Sequence, residues 1–439
     1  MKNYYELLAE KAKKQPHKLL LQIDAASFTY ENMLEAADQL GEKLTELTHG
    51  DCVLVHAEGI EKQLAAFFAL QKRDCLPILL HEGMKQEEIQ HILHENHLQA
   101  LMELNNTEQH LLLSGEMAVK HAFPDCLGVL SSGSTGTPKV MYRTFESWAG
   151  FFPTQNPIFK IAEDTRLFLQ GNLSFTGNMN SLLSVLFAGG SVITSRYFRC
   201  RKWLELISRH KVDVIYLVPA KLQLLLPFMK RELPSVRMVF TGSQLLSRQA
   251  LEKLYHWLPN TDIILYYGAS ELNYITWADC RDLSRDPMNL GKPFPGIGLQ
   301  VEDGLVYVDT QYHVSGVRIP FTVEDTGYLN DKGELIFQGR RQGWVNKGGF
   351  KISCMKVEMA LREVDGIRNA AVMSCEDALR GAEIAAFIVL AEDAEEHAVR
   401  QSIRHSLKPV EVPGRILFVP EIPLNDRGKV DKPVLWAML

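Results

Sequence analysis

Segments with a helical spacing of apolar residues alternate with short, continuous apolar runs along most of the chain. Apolar positions at 4–15, 30–48 and 61–72 recur every three or four residues, as on one face of an amphipathic helix. The runs at 51–55 and 75–80 are almost wholly apolar, which is typical of strands buried on both faces. The pattern predicts that helices and strands alternate in the first part of the chain.

The alternation continues to about residue 320, with further apolar runs at 214–218, 238–240 and 263–267. Strands that alternate with helices usually pair in parallel, because each helix carries the chain back across the sheet. The sequence therefore predicts an α/β fold whose large N-terminal domain has mostly parallel β-sheets sandwiched by helices.

A polar, glycine-rich segment at 339–349 interrupts this pattern and is typical of a hinge. The chain after it has its own mixture of helix-like and strand-like segments, which is enough for a small domain. We predict a large domain at 1–341 and a small, mobile α+β domain at 342–439 that rotates about a hinge near Gln342. The segments that predict the small domain are 357–364, 370–373, 385–390, 394–406 and 415–419.

Composition excludes some classes of function. A net charge of −6 argues against a nucleic-acid surface. The longest apolar runs, at 76–80 and 222–228, are far shorter than the about 20 residues that a membrane-spanning helix needs. Seven scattered cysteines form no Cys-x-x-Cys pair, and the first residues lack a signal-peptide pattern, so we expect a cytoplasmic protein.

A loop of small and hydroxyl residues follows the apolar run at 127–130. Such a loop can present backbone N–H groups to phosphate oxygens, and a lysine at its end adds a mobile positive charge. Its spacing is not that of a Walker loop. Composition alone supports a phosphate loop and an ordinary surface loop about equally. The loop residues are Ser131, Ser132, Gly133, Ser134, Thr135, Gly136, Thr137 and Lys139.

Four further polar segments follow in the second half of the chain, at 241–244, 266–271, 324–329 and 422–432. Taken singly, each has an ordinary explanation as a glycine-rich turn, the end of a strand, a hairpin or a solvated surface lysine.

Together with the loop at 131–139, and in this order, these segments resemble the motifs of the adenylate-forming superfamily. That superfamily includes acyl-CoA synthetases, peptide-synthetase adenylation domains and luciferases. The resemblance spans residues 5–435 and is closest in type to a short acyl-CoA synthetase. It implies a ligase that uses ATP and Mg²⁺. A carboxylate attacks the α-phosphorus, pyrophosphate leaves, and a thiol then takes the acyl group from the adenylate.

The resemblance also implies roles for single residues. The loop at 131–139 would hold the triphosphate, Thr135 and Glu271 would hold Mg²⁺, and Glu271 and Lys429 would be catalytic. An ammonium at Lys429 could bridge the substrate carboxylate and the α-phosphate as charge shifts. Tyr267 would stack on adenine. The other implied ATP- or AMP-binding residues are Gly242, Ser243, Tyr266, Gly268, Ala269, Ser270, Asp325 and Arg340.

Some positions depart from the superfamily pattern. Ser270 replaces the usual threonine but keeps the hydroxyl, and Gln244 stands where a glutamate is common. The two residues before Asp325 also differ, and Gln342 occupies a hinge position that usually holds aspartate or lysine. After the hinge rotates, Lys347, Gly348 and Gly349 would line the thiol channel.

The substrates are less closely defined. Thr176 follows Ser174-Phe175 where amino-acid-activating members carry an aspartate, so a free amino acid is disfavoured. A neutral, partly apolar pocket suits a fatty or aryl acid. The implied acyl-pocket residues are Asn172, Phe175, Thr176, Gly177, Asn178, Tyr216, Val218 and Leu272, beside Gly242 and Gly268.

The partners are therefore a small-molecule carboxylic acid and a thiol, with coenzyme A as the favoured co-substrate. Two alternatives stay open. One is a stand-alone adenylating enzyme that loads the phosphopantetheine of a carrier protein. The other is a catalytically inactive nucleotide-binding regulator.

Overall fold

The computed structural model describes residues 1–105, 109–114, 120–121, 124–131, 138–282, 284–347, 350–377, 381–424 and 430–439. Its helices are α1 Tyr4–Lys14, α2 Tyr30–Glu42, α3 Ile60–Lys72, α4 Gln86–Glu95, α5 Glu146–Ala149, α6 Phe152–Ile158, α7 Thr176–Ala188, α8 Cys200–Arg209, α9 Pro219–Leu225, α10 Arg248–Trp257, α11 Cys354–Arg362, α12 Glu396–Ser406 and α13 Lys432–Trp436.

The strands are β1 Leu19–Ile23, β2 Ala26–Thr29, β3 Cys52–Ala57, β4 Leu76–Leu79, β5 Ala100–Leu104, β6 Gln109–Leu113, β7 Asp125–Leu130, β8 Val140–Thr144, β9 Arg166–Leu169, β10 Ser191–Thr194, β11 Val214–Tyr216, β12 Met238–Gly242, β13 Asp262–Ala269, β14 Asn273–Asp279, β15 Lys292–Pro293, β16 Gly298–Glu302, β17 Leu305–Asp309, β18 Asp325–Leu329, β19 Leu335–Arg340, β20 Trp344–Lys347, β21 Phe350–Ser353, β22 Ile367–Asp377, β23 Gly381–Leu390 and β24 Arg415–Phe418.

Two large sheets form the first part of the molecule. One has nine strands in the order β15-β14-β13-β12-β11-β9-β10-β1-β2, and the other has six in the order β6-β5-β3-β4-β7-β8. The neighbours from β13 through β1 pair in parallel, as do those from β5 through β7. Antiparallel strands complete the edges. The predicted α/β class is confirmed.

The central strands are buried because they are covered on both faces. Every residue of β4, β10, β11 and β12 is buried. Strands of this kind read as continuous apolar runs, and this is why the sequence located β4, β11 and β12 correctly.

The expected alternation of helices and strands to about residue 320 was wrong for its last part. The described residues between α10 and the short 3₁₀ turn Arg341–Gly343 form strands β13–β19 and turns. Strands β16–β19 make a separate sheet of four antiparallel strands. Tight turns produce this arrangement: Asp303 and Gly304, for example, adopt φ of 51° and 76° between β16 and β17. The predicted helix at 30–48 also ends early, at Glu42.

The last part of the chain has cores of its own. The hairpin β20–β21, the sheet β22-β23-β24 and helices α11 and α12 surround an apolar cluster that includes Val357, Ile384 and Ile403. The division at residues 341 and 342 stays a prediction. Among the described residues, no helix is both long and apolar enough to cross a bilayer.

Candidate active site

A cleft of about 830 Å³ lies where the carboxyl end of β13 meets the antiparallel sheet β16–β19 and helix α11. The carboxyl ends of strands in α/β sheets are a usual place for ligands, because the loops that follow the strands converge there. The cleft brings together nine of the residues predicted to bind the nucleotide or its metal ion. Those that line it are Ser243, Tyr266, Tyr267, Gly268, Ala269, Ser270, Glu271, Asp325 and Arg340, with Gly242 next to Ser243 in the chain.

Asp325 is the most distinctive group in this cleft. Its residue is only 3% exposed, and Tyr267 donates its hydroxyl to Oδ2 at 2.6 Å. Nε of Arg340 lies 3.4 Å from Oδ1, close enough for an ion pair. Oδ1 nevertheless has no hydrogen-bond donor among the described residues. A buried acceptor that faces a cleft without a donor is suited to a hydroxyl of a ligand.

Burial raises the pKa of Asp325 above its ordinary value, although Tyr267 and Arg340 act in the opposite direction. The carboxylate is therefore held at a cost in folding free energy when it is ionised. Such a cost is common where a charged group serves a ligand rather than the fold.

Arg143, which the sequence analysis missed, supports the loop that carries Glu271. Its guanidinium is fully buried and donates from Nη2 to the carbonyl of Ser270 at 2.5 Å. It also donates from Nη1 to Ser147 Oγ and to the carbonyl of Tyr312, both at 3.2 Å. Burial lowers the pKa of Arg143 to about 10, yet it stays protonated at neutral pH. An arginine within the otherwise half-buried strand β8 was the only sequence signal for this role.

Three residues that line the cleft have a left-handed backbone although none is glycine. Their φ angles are 69° for Ser243, 72° for Asn273 and 62° for Glu324. This conformation is unfavourable for residues with a Cβ, so the surrounding structure must impose it. The backbone at these three positions of the cleft is therefore fixed by its surroundings.

The phosphate-loop prediction falls largely on 132–137, which lie outside the described residues. Their flanks form the end of the hairpin β7–β8. The backbone N–H of Ser131 donates to the carbonyl of Lys139 at 2.9 Å, and that of Lys139 donates to Ser131 Oγ at 3.0 Å. Leu130, at the end of β7, lines the cleft. The hairpin thus brings one end of the predicted loop to the cleft.

Lys429, the predicted catalytic lysine, also lies outside the described residues. Leu424 and Val430, on either side of the gap at 425–429, pair in an isolated β-bridge. Val430 and Lys432 line the cleft. The chain therefore re-enters the described region directly after Lys429 at the wall of the cleft.

The predicted hinge and thiol-channel residues are placed differently. Gln342 lies in the 3₁₀ turn next to the cleft, which Gly343 lines. Lys347 is turned into the C-terminal part of the chain, where Nζ lies 2.7 Å from a carboxylate oxygen of Glu383 and donates to the carbonyl of Val412 at 2.8 Å. Gly348 and Gly349 lie outside the described residues.

The predicted acyl-pocket residues divide into groups. Phe175, Thr176 and Gly177 line the cleft, and Thr176 Oγ1 lies 3.2 Å from Ser270 Oγ. Asn172, Asn178 and Val218, together with Phe175, line a smaller cavity nearby. Leu272 is fully buried and lines neither of them.

Tyr216 is buried behind the cleft, where its hydroxyl lies 2.9 Å from the hydroxyl of Tyr266. The two glycines next to this pair have no room for a side chain. A Cβ at Gly177 would lie 2.1 Å from the Tyr216 hydroxyl, and one at Gly242 would lie 2.5 Å from the Tyr266 ring. Tyr216 and Tyr266 therefore form a closely packed aromatic wall at this end of the cleft.

Comparison with known families identifies the type of protein. The model of the AMP-binding enzyme family matches residues 8–123 and 126–316, and that of the AMP-binding enzyme C-terminal domain matches residues 356–429. The chain belongs to the AMP-binding enzyme family. This AMP-binding enzyme is a member of the adenylate-forming superfamily, as its motifs predicted.

Curated relatives of this AMP-binding enzyme carry several activities in their names. It is 27% identical over 317 residues to an uncharacterized acyl-CoA ligase of Bacillus subtilis, YhfT, a match that covers 68% of this chain and 66% of the relative. It is 24% identical over 514 residues to the vibriobactin-specific 2,3-dihydroxybenzoate-AMP ligase of Vibrio cholerae, covering 99% of this chain and 93% of that one.

A solved structure confirms the fold. It is o-succinylbenzoate CoA synthetase of Bacillus subtilis in complex with its acyl-adenylate intermediate, which superposes with a TM-score of 0.84 at 20% identity. The superposition covers 98% of this chain and 97% of the other.

Proposed function

We propose that the protein is an ATP-dependent carboxylic acid–thiol ligase. In this proposal an acid attacks ATP to give an acyl-adenylate and pyrophosphate, and the acyl group then passes to coenzyme A as a thioester. The observation that carries the proposal is the meeting of Tyr267, Asp325 and Arg340 with Glu271 in one cleft of an AMP-binding enzyme.

The ribose is assigned to Asp325. Its Oδ1 accepts from no donor in the part of the chain that the structure describes, and a ribose hydroxyl would supply one. Tyr267 and Arg340 hold the carboxylate in place from two sides, so that the acceptor is oriented before the nucleotide arrives. Preorganisation of this kind lowers the cost of ordering on binding. The ring of Tyr267 would then form the surface against adenine.

The metal is assigned to Glu271 and Thr135. Mg²⁺ is commonly held by one or two protein oxygens together with substrate phosphates, so the carboxylate of Glu271 at the cleft fits it. When bound, the ion supplies positive charge to the phosphate oxygens. Arg143 fixes the loop before Glu271 through the carbonyl of Ser270.

Lys429 is proposed to bring an ammonium to the reacting groups. Carboxylate and triphosphate are both anionic, so their approach needs positive charge aimed at the oxygens that gain charge in the transition state. The position of Val430 and Lys432 at the cleft wall supports this assignment.

The second step requires the small domain, proposed at 342–439, to rotate about Gln342 and to carry Lys347, Gly348 and Gly349 to the thiol. Lys347 is paired inside this unit, so it would move together with it.

The acid is proposed to be compact: an aryl acid or a short fatty acid. The Tyr216–Tyr266 wall supports this choice, because a long acyl chain would have to displace two buried, hydrogen-bonded rings. Thr176 and Ser270 provide a neutral polar rim.

Loading of a carrier protein is the second candidate, and the name of the 2,3-dihydroxybenzoate-AMP ligase relative favours it. A panel of carboxylic acids in a pyrophosphate-release assay, run with and without coenzyme A, tests both. Acid-dependent release followed by thioester turnover with coenzyme A supports the ligase. Release with no turnover of coenzyme A favours carrier loading, and no acid-dependent release with any acid refutes both.

A further inference from the structure

Helix α9 carries a buried lysine that the nucleotide cleft does not use. Lys221 is 7% exposed, and its Nζ donates to the carbonyl of Gln170 at 2.8 Å. The residues that the structure describes offer it no carboxylate. Burial lowers the pKa of Lys221 to about 8, and burial is the only cause of that shift. A buried amine without a counter-charge destabilises a fold, so such groups are typical of functional sites.

Lys221 lies between two cavities. It lines a narrow cavity of about 10 Å³, here called the throat, with Gly171, Asn178 and Val218 among its walls. Ser174 and Phe175 are common to the throat and the nucleotide cleft. Lys221 and Gly171 are common to the throat and an outer cleft of about 1270 Å³. The throat therefore lies between the outer cleft and the proposed acyl site, and the two clefts also meet at Arg362, which lines both.

The backbone next to the amine depends on a glycine. Gly171 has a φ of +126°, a conformation that residues with side chains rarely adopt. A Cβ there would lie 3.0 Å from Lys221 Nζ and 2.8 Å from Asn178 Nδ2. The amide of Asn178 is itself fixed, since it donates to the carbonyl of Asn172 at 2.9 Å. Glycine at position 171 thus lets Lys221 Nζ and the Asn178 amide approach the backbone closely.

An acyl-adenylate in the proposed orientation would fill the nucleotide cleft with AMP. The thiol must then reach the acyl carbonyl by another route, and the throat meets the acyl site at Phe175. We infer that Lys221 receives the proton of the incoming thiol in the throat. This inference rests on the proposed function and adds to it a residue of the second half-reaction.

In this step neutral Lys221 Nζ takes the proton of the S–H group and becomes an ammonium. The thiolate attacks the acyl carbon, a C–S bond forms, and the bond from the acyl carbon to the phosphate oxygen breaks. AMP leaves with that electron pair. An ordinary thiol has a pKa of about 8.5, so transfer to an amine of similar pKa is nearly balanced, as efficient general base catalysis requires.

Other titratable groups surround this region. His81 shares the throat with Lys221, and Glu58, Glu82 and Arg196 line the outer cleft beyond it. His81 is the alternative proton acceptor, and His81→Gln separates the two.

The test compares Lys221→Met with Lys230→Met, an exposed lysine that lines none of the three cavities. Pyrophosphate release without thiol reports adenylation, and single-turnover transfer from preformed acyl-adenylate reports the thiol step. For Lys221→Met we expect adenylation within about twofold of wild type and thiol transfer slower by about a hundredfold. The defect should shrink with a small thiol of lower pKa, which needs no base. Lys230→Met should change neither rate by more than about twofold.

The pH profile of the thiol step is the second measurement. A thiol of pKa about 8.5 ionises in the same range, so the profile is taken with two thiols of different pKa. In wild type and in His81→Gln an inflection near the pKa of about 8 should be common to both thiols, and in Lys221→Met the remaining rise should follow the pKa of each thiol. The inference is overturned if both half-reactions fall equally, if the defect is the same for both thiols, or if the common inflection disappears in His81→Gln. If Lys221→Met does not fold, a wild-type inflection that follows the pKa of the thiol overturns the inference, and one that is common to both thiols and retained in His81→Gln supports it. Absence of acid-dependent pyrophosphate release in wild type would instead refute the proposed function.

Discussion

The substitution Asp325→Asn should weaken ATP use and stabilise the protein at the same time. It keeps the size of the side chain and an oxygen for the ribose, and removes only the charge. Burial raises the pKa of Asp325, so the ionised carboxylate costs folding free energy above that pKa and the cost disappears as pH falls through it. The neutral amide should therefore raise the melting temperature of the ligand-free protein at pH 7–8, and the gain should vanish in acid.

The loss in ATP use follows from Oδ1 of Asp325, which is paired with Arg340 but has no hydrogen-bond donor among the described residues. A hydrogen bond to a charged group contributes about 1.5–3 kcal/mol, against about 0.5–1.5 kcal/mol for a neutral pair. The difference is about 1–1.5 kcal/mol for each ribose hydroxyl, so kcat/KM for ATP should fall by about tenfold for one hydroxyl and up to about a hundredfold for two.

The assay is acid-dependent pyrophosphate release over a range of ATP and 2′-deoxy-ATP concentrations. Removal of the 2′-hydroxyl should lower kcat/KM more in wild type than in Asp325→Asn, because the hydrogen bond from that hydroxyl to the neutral amide of the variant is already the weaker one. Asp331→Asn, in the exposed turn between β18 and β19, is the matched control and should change neither kcat/KM nor the melting temperature appreciably. An Asp325→Asn enzyme within about twofold of wild type, or one that melts lower than wild type, would contradict this explanation.

Three other substitutions test the remaining parts of the site. Lys429→Ala should slow adenylation by at least about a hundredfold and thiol transfer from supplied acyl-adenylate much less, and equal loss in both half-reactions would refute its role. Arg143→Met should lower the free energy of unfolding by about 3 kcal/mol in a denaturant titration, because the carbonyl of Ser270 loses its buried donor. Tyr266→Ala should open the wall beside Tyr216 and raise the ratio of kcat/KM for a longer acid to kcat/KM for a shorter acid by at least about tenfold. An unchanged preference among acids would show that the wall does not limit the length of the acid.

The parts of the fold that the sequence predicted are those in which local pattern and burial agree. Strands such as β11 and β12 are buried along their whole length, and their largely apolar run of letters reports this directly. The pattern failed after Asp262, where the strands are joined by turns. There the residues of strand β16 are exposed and partly buried in turn, and none of them is fully buried. Such strands leave only a weak signal.

The resemblance predicted both Tyr267 and Asp325 for the nucleotide, and the structure places both in one cleft. Their 2.6 Å hydrogen bond joins residues 58 positions apart and was not predicted. Arg143 and Lys221 have no motif. Each is a long cationic side chain in an apolar stretch, and only the fold determines that one is buried against the Ser270 carbonyl and the other against Gln170.

The start of helix α7 joins the two halves of the proposed chemistry. Thr176 contacts Ser270 in the nucleotide motif, and two residues later Asn178 holds the carbonyl of Asn172 at the throat. The residues from Gly177 to Leu186 are all buried, so the start of α7 is fixed by the core and cannot move with the C-terminal part of the chain. A carbonyl seated at Phe175 would therefore stay in one place while different groups approach it from the two sides. On this geometry the nucleotide side and the thiol side are separated in space by a rigid turn, and a rotation of the small domain would need only to exchange Lys429 for the thiol. Substitutions at Lys221 and at Lys429 should then affect different half-reactions, and their effects on each half-reaction should add when the two are combined.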